Sequence, residues 1–427
     1  MDTGAKLITY AVNELSLETE KGISELAAAH LGKSFPALSV VAIQSGEVRL
    51  SAAAGVIDPQ SDKPRPVDGE TLFDLASVSK LFTMTAFLSL VSEGKVGLDD
   101  PLVSVIRSFG ATGPRPINGG QDPHSKAMLP TPPEMEGKTV DPARVTFRQL
   151  LTHSSGLAPW RSVYNEAGPA PVPPDQRDPV FRDVRWAHAM IALTMYQFVD
   201  QPGISVRYSD LGFMLLGEAV AWLHQRPVTE PTPVTGLDTA IQRRVLDPLG
   251  LNDVLYNPLR YGRDRENIAP TEDDPNWRGR RPWGEVHDEN ANGVGGVAGH
   301  AGLFGTARDV AIFGQAWLTN DPRLGISPEI MDEARREQIF TASNNERRGL
   351  GWNLRTERDS LAGDVFTMES YGHTGFTGTS LWIDPTRELV VACLTNRVYY
   401  GRALGTDGIA TFRRALLDLI AGEITPK

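Results

Sequence analysis

The run Thr71-Leu72-Phe73-Asp74-Leu75-Ala76-Ser77-Val78-Ser79-Lys80 leads into a strongly apolar stretch, Leu81 to Val91, that stops at Gly94. Leu81, Met84, Phe87, Leu88 and Val91 recur at helical spacing, and glycine tolerates the left-handed conformation that ends helices. The spacing predicts a buried helix with Ser77 at or near its first turn and Lys80 one turn later on the same face. A serine hydroxyl is a weak nucleophile until a base takes its proton. Here a lysine amine stands beside it, and the free N–H groups of a helix start favour any anion forming there. That outlines an acyl-transfer site. Read alone, the tetrapeptide fits a helix-capping serine followed by a solvent lysine equally well, so its meaning depends on the rest of the chain.

Working outward toward the N-terminus, Val48 to Ala54 and Ala37 to Gln44 alternate as strands across Ser45-Gly46-Glu47, a hairpin. Residues 17–31 before them read as an amphipathic helix. Toward the C-terminus the texture changes. Residues 109–145 and 168–174 are rich in glycine and proline and predict long surface loops, which either shape a site or decorate the surface. Helical patterns cover Thr146 to Thr152, Trp186 to Phe198, Tyr208 to His224 and Gly236 to Leu246, the last stopping before Pro248. Strand patterns return at Gly349 to Leu354, Val365 to Tyr371, Thr379 to Asp384 and Leu389 to Thr395, and a helix over Gly408 to Ala421 closes the chain. The expectation is an α+β fold: one antiparallel sheet built from both ends of the chain, flanked by the N- and C-terminal helices, with an all-helical subdomain beside it. The 427 residues are read as a single domain, with an α/β part at 1–70 plus 346–427 and a helical part with long loops at 71–345.

Two further segments carry chemistry. Tyr208-Ser209-Asp210 sits at the mouth of a predicted helix. A phenol is normally protonated at neutral pH, but a neighbouring ammonium favours the phenolate, which would let Tyr208 serve as general base for Ser77. Asp210 would accept a hydrogen bond from Lys80. The bland reading is a helix cap with a core tyrosine. His373-Thr374-Gly375 follows the strand expected to end at Tyr371, and Gly372 and Gly375 allow close approach of backbone to a ligand. The N–H of Phe376 would then be an oxyanion donor opposite the N–H of Ser77. His373 would hydrogen-bond a substrate carboxylate or carbonyl, or assist proton transfer; its bland reading is an exposed histidine in a hairpin turn.

S-x-x-K, then Y-x-[ND], then [KH]-T-G, in that order, resembles the serine β-lactamase and penicillin-binding-protein superfamily. The nearest branches are class C β-lactamases, D,D-peptidases and family VIII carboxylesterases. Ser92 to Pro101 and Leu150 to Leu157 are also similar to stretches of this superfamily, and the likeness spans roughly 36–420. It implies a β-lactamase/transpeptidase-like fold and a cofactor-free serine hydrolase. Ser77 would be acylated, with Lys80 and Tyr208 catalytic and Asp210, His373, Thr374, Gly375 and Phe376 forming the substrate and oxyanion side. Two departures matter: Asp210 stands where the lactamases usually carry asparagine, and His373 where they carry lysine. Both turn the expectation from an efficient β-lactamase toward an ester or D-peptide hydrolase. The β-lactamase is kept as alternative, and so is a non-catalytic binding protein with the same fold.

The remaining composition narrows the partners. With 42 Lys plus Arg against 53 Asp plus Glu the net charge is −11, which argues against nucleic acid or an anionic membrane surface as partner. No apolar run reaches membrane-spanning length. Met1 to Lys6 lack a basic start followed by an apolar core, so a cytoplasmic location is expected, although a secreted chain trimmed of its leader would read the same. The single cysteine, Cys393, lies in an apolar run and reads as a small buried residue. Val286-His287-Asp288-Glu289-Asn290-Ala291 is the most unusual segment. Its spacing does not put two imidazoles on one face, so a metal is not expected. The glycines from Gly293 to Gly305 follow no apolar strand, which removes a dinucleotide reading. The segment reads as a hydrogen-bonded loop near the cleft. His153 and His300 read as structural, and no G-x-S-x-G elbow is present.

Overall fold

The computed structural model describes residues 8–123, 125–225 and 236–424; the reading made of Met1 to Lys6 lies outside them. Strand β1 (Ile8–Asn13) and helix α1 (Leu17–His30) open the chain, and β2 (Ala37–Gln44) and β3 (Glu47–Gly55) form the expected hairpin. The helical part includes α2 (Ser79–Ser92), α3 (Arg182–Met195), α4 (Asp210–His224) and α5 (Ala307–Leu318). The chain then returns to the sheet with β4 (Ile339–Thr341), β5 (Glu346–Arg348), β6 (Asn353–Leu354), β7 (Tyr371–Thr374), β8 (Ser380–Asp384) and β9 (Leu389–Thr395), and ends in α6 (Asp407–Gly422). These nine strands make one antiparallel sheet in the order β1-β3-β2-β9-β8-β7-β6-β5-β4. The N- and C-terminal segments therefore meet inside it, where β2, third in the order, pairs with β9, fourth, as the α+β reading expects.

Successive strand residues point to opposite faces, and the central strands are apolar on both. Leu38, Val40 and Ala42 of β2 and Val391 and Cys393 of β9 pack with Ile23 and Ala27 of α1 and Ile409, Phe412 and Leu416 of α6. Val41 and Ile43, with Val390, Ala392 and Leu394, face the other core, which α2, α4 and α5 fill. Helix α2 has buried residues all round its circumference, from Ser79 to Leu90, as a helix without a polar face must. It is the central post of the helical half. Trp317 of α5 ties to it, donating its indole N–H to Thr85 Oγ1 at 2.9 Å.

Three expectations need correction. The pattern over Gly236 to Leu246 does not stop before Pro248. Leu237–Ile241 is α-helical, Gln242–Leu246 widens into π-helical bonding, and Asp247–Leu249 continues to Gly250, left-handed at φ +69°. The wider turn moves away the carbonyl that the proline ring would otherwise strike. Gly349 to Leu354 is mainly a turn: the Gly349 N–H bonds the Trp352 carbonyl, Gly351 has φ +76°, and only Asn353–Leu354 is strand. Val365 to Ser370 is loop, because its polar groups bond away from any ladder. Val365 N–H goes to Asp418, and Thr367 N–H and hydroxyl go to Asp384. The strand begins at Tyr371. In the helical half, the chain also forms a small sheet of Phe73–Asp74, Leu303–Gly305 and Leu255–Tyr256.

Candidate active site

Ser77 sits in a single 3₁₀ turn, Ala76–Val78, that runs into α2. The backbone before it is strained and clamped. Ala76 has φ +45°, uncommon for a residue with a Cβ. Asp74 holds the bend, accepting from Ala76 N–H at 2.8 Å and from His287 N–H at 2.7 Å. The β7–β8 turn fastens the same segment from the sheet side: Thr377 Oγ1 donates to the Asp74 carbonyl and Thr379 Oγ1 to the Leu75 carbonyl. Gly375 is required there. A Cβ on it would lie 2.1 Å from Thr379 Oγ1 and 2.7 Å from the Leu75 carbonyl oxygen.

Lys80 is wholly buried, and its ammonium has three partners: Ser77 Oγ at 2.9 Å, the His300 carbonyl at 3.0 Å and Asp210 Oδ1 at 2.7 Å. Its Nζ also stands 4.9 Å from the centre of the Tyr208 ring. Burial pushes the ammonium pKa down, but the charge of Asp210 and the Tyr208 phenol outweigh it and hold it above the ordinary lysine value. Burial raises the Tyr208 phenol, Asp210 adds to that, and the opposing pull of Lys80 and Ser77 is smaller. Tyr208 is thus a neutral phenol at rest, which corrects the expectation that its phenolate is favoured.

His373 is buried on β7 itself and not exposed in a turn. Burial, with the charges of Arg348 and Lys80, keeps its pKa well below the usual histidine value, so the ring is neutral. Its Nδ1 lies 2.9 Å from the Thr374 carbonyl, which can only accept, so Nδ1 carries the proton. Nε2 is left as an acceptor, without a partner among the described residues. A hydrogen bond donated to a substrate carboxylate is therefore not what this ring offers; it can receive an N–H or a proton. Thr374, Gly375 and Phe376 follow and line the same cavity as Ser77, Tyr208, Asp210 and His373, a cleft of about 510 Å³. The structure brings every predicted site residue to one place.

The unusual segment lies against this cleft. His287 Nε2 is 2.7 Å from Glu272 Oε1, and Asp288 Oδ1 is 2.8 Å from His300 Nε2. Asn290 takes the Tyr164 N–H and gives its amide to the Arg161 carbonyl. His300 matters through its backbone, whose carbonyl holds Lys80. His153 is structural in a similar way: Nδ1 accepts the Ser209 N–H at 3.0 Å and its ring lies 4.3 Å from that of Tyr208. Pro123 and Lys126, from the first long loop, line the cavity wall. Arginines were missed by the sequence reading. Arg348 is buried with its guanidinium 5.4 Å from the Tyr208 ring centre, and Arg397 and Arg413 line the cleft. One signal was available: Arg413 falls between Ile409 and Leu416 on the apolar stripe of its helix, where a charge needs a reason.

With this geometry in place, the Beta-lactamase family model matches residues 23–414. The chain is 29% identical over 384 residues to a "Putative D-alanyl-D-alanine carboxypeptidase" of Escherichia coli (strain K12), covering 85% of this chain and 79% of that protein. It is 28% identical over 413 residues to an N-acetylmuramyl-L-alanine amidase of Bacillus subtilis (strain 168), covering 92% of this chain and 84% of that one. The fold is similar to that of a penicillin-binding protein homolog from Caulobacter crescentus, with TM-score 0.65, 21% identity, and 97% and 99% of the two chains covered.

Proposed function

Since the chain belongs to the Beta-lactamase family, we propose that it is a serine hydrolase that cleaves an ester or amide bond through an acyl-enzyme on Ser77. The observation that carries this is the contact of the buried Lys80 ammonium with Ser77 Oγ at 2.9 Å while Asp210 holds it at 2.7 Å. Loss of one proton from the Lys80–Tyr208 pair creates the base. That base takes the Ser77 proton as Oγ bonds to the substrate carbonyl carbon. The proton then goes to the leaving group as the bond to it breaks. The N–H groups of Ser77 and Phe376 hold the oxyanion, and water, activated by the same base, releases the acyl group and restores Ser77.

A small substrate with a D-amino-acid or muramyl-peptide amide bond fits best. The relatives named for such bonds support this. A β-lactam is the second reading, weakened by His373 standing in place of a cationic lysine. The test is a panel of p-nitrophenyl acetate, nitrocefin, D-alanyl-D-alanine peptides and N-acetylmuramyl-L-alanine on wild type and Ser77→Ala. Turnover of an ester or amide by wild type, abolished in Ser77→Ala, is expected. Activity that survives Ser77→Ala contradicts the assignment, and nitrocefin as the best substrate overturns the preference for peptides.

A further inference from the structure

Arg397 and Arg413 are both buried and both line the cleft, and neither forms an ion pair among the described residues; the nearest charge attracting Arg397 is that of Glu272, beyond ion-pair distance. A guanidinium buried without an opposite charge is costly to keep, so its placement calls for a function. Both grip carbonyls of the β7–β8 turn, and Arg397 Nη1 also donates to the Gly405 carbonyl at 2.7 Å. Arg413 Nη2 donates to the Gly375 carbonyl at 2.9 Å and to the Thr379 carbonyl at 2.8 Å. Arg397 Nε donates to the Phe376 carbonyl at 2.7 Å, and its guanidinium lies 4.5 Å from the Phe376 ring centre. The Gly375 carbonyl and the Phe376 N–H belong to one planar trans peptide, in which C=O and N–H point in opposite directions. Whatever pulls the carbonyl one way aims the N–H the other. The Phe376 N–H is the donor assigned to the oxyanion.

We propose that Arg413, seconded by Arg397, is a positioning residue that aims the Phe376 N–H by gripping the carbonyls on either side of it, and that their positive charge favours the anion forming there. Neither arginine touches the reacting atoms. Burial lowers the Arg413 guanidinium to about 10, so it remains charged at neutral pH. The turn itself supplies the other constraint: Gly378 N–H also bonds the Gly375 carbonyl, at 3.1 Å. The arginines therefore set the tilt of a peptide already held in a turn.

This inference rests on the acyl-enzyme reading, and the experiment separates the two. Arg413→Met, Arg413→Lys and Arg397→Gln are compared with wild type in ester turnover and in binding of phenylboronic acid, which forms a tetrahedral anion on the serine. Arg413→Met is expected to lower kcat on the order of 10²-fold, as loss of an oxyanion donor does, while KM stays within about threefold. Boronate affinity falls in proportion to kcat, because the boronate resembles the transition state. Arg413→Lys, which keeps the charge, recovers part of both. Unchanged kcat and boronate affinity in the variants overturn the inference alone. Failure of wild type to bind boronate at Ser77 overturns the acyl-enzyme reading and this inference with it. Should thermal unfolding show Arg413→Met to be unfolded, Arg397→Gln decides: a fall in kcat and boronate affinity together supports the proposal, and no change rejects it.

Discussion

Lys80 is held between Ser77, Asp210 and the His300 carbonyl, and it carries its proton too firmly to act as a base at neutral pH. Tyr208 keeps its own proton for a different reason, burial. Because both pKa values are raised, the deprotonated pair grows as pH rises. Activity is therefore expected to climb from neutral into the alkaline range. Asp210 raises both groups, so Asp210→Asn lowers both and moves the rising limb of kcat/KM to lower pH. A pH–rate profile of the two proteins checks this; an unmoved limb would mean that Asp210 does not govern the base. Lys80→Ala should cost about 10²–10⁴-fold in kcat, the range for loss of a positioned proton carrier. Ser77, Lys80 and Asp210 were legible in the sequence because short motifs fix them locally. The resting state of Tyr208 was not, since the sequence showed its ammonium neighbour and hid the burial that wins.

The β7–β8 turn is the element on which the site closes. A methyl group at Gly375 has no room beside Thr379 Oγ1 and the Leu75 carbonyl, so Gly375→Ala must push the turn off the Ser77 segment. A displacement near 1 Å costs about 10²-fold in rate, and that loss is expected in kcat with the far-UV circular dichroism unchanged. Retained kcat would show that the turn does not need to approach so closely. Elements with a clear period were readable from sequence: α1, the β2–β3 hairpin, β9 and α6 all lie where spacing put them. The errors arose where backbone bonding departs from side-chain pattern. Val365 to Ser370 looks like a strand by composition, yet its N–H groups go to Asp418 and Asp384. The passage through Pro248 depends on a π-turn that no residue type announces.

Across the whole molecule, the sheet joins two cores, and the end helices seal one of them. Phe412 packs edge-on to Phe35, with ring centres 4.7 Å apart. Phe412→Ala should cost about 3–5 kcal/mol, read as a lower urea midpoint. Acid stability has a local source. Burial opposes ionisation of Glu272, but its hydrogen bond to His287 and the Arg402 charge prevail and bring its pKa to about 2. Its folded pKa lies below the unfolded value of about 4.3, so its stabilisation is complete above that pH and is lost as pH falls toward 2. Glu272→Gln should flatten that part of the stability curve; an unchanged curve would place the acid sensitivity elsewhere. The sheet built from both chain ends could be read in advance from where strand patterns fall. Arg413 showed itself only as a charge on the apolar stripe of its helix; what it and Arg397 hold could not be read, because only folding brings them to the β7–β8 turn. The most direct test of the central claim is intact-mass analysis after treatment with a fluorophosphonate probe, followed by peptide mapping. One adduct per chain, located on Ser77 and missing from Ser77→Ala, is the predicted result; no adduct, or one on another residue, would contradict it.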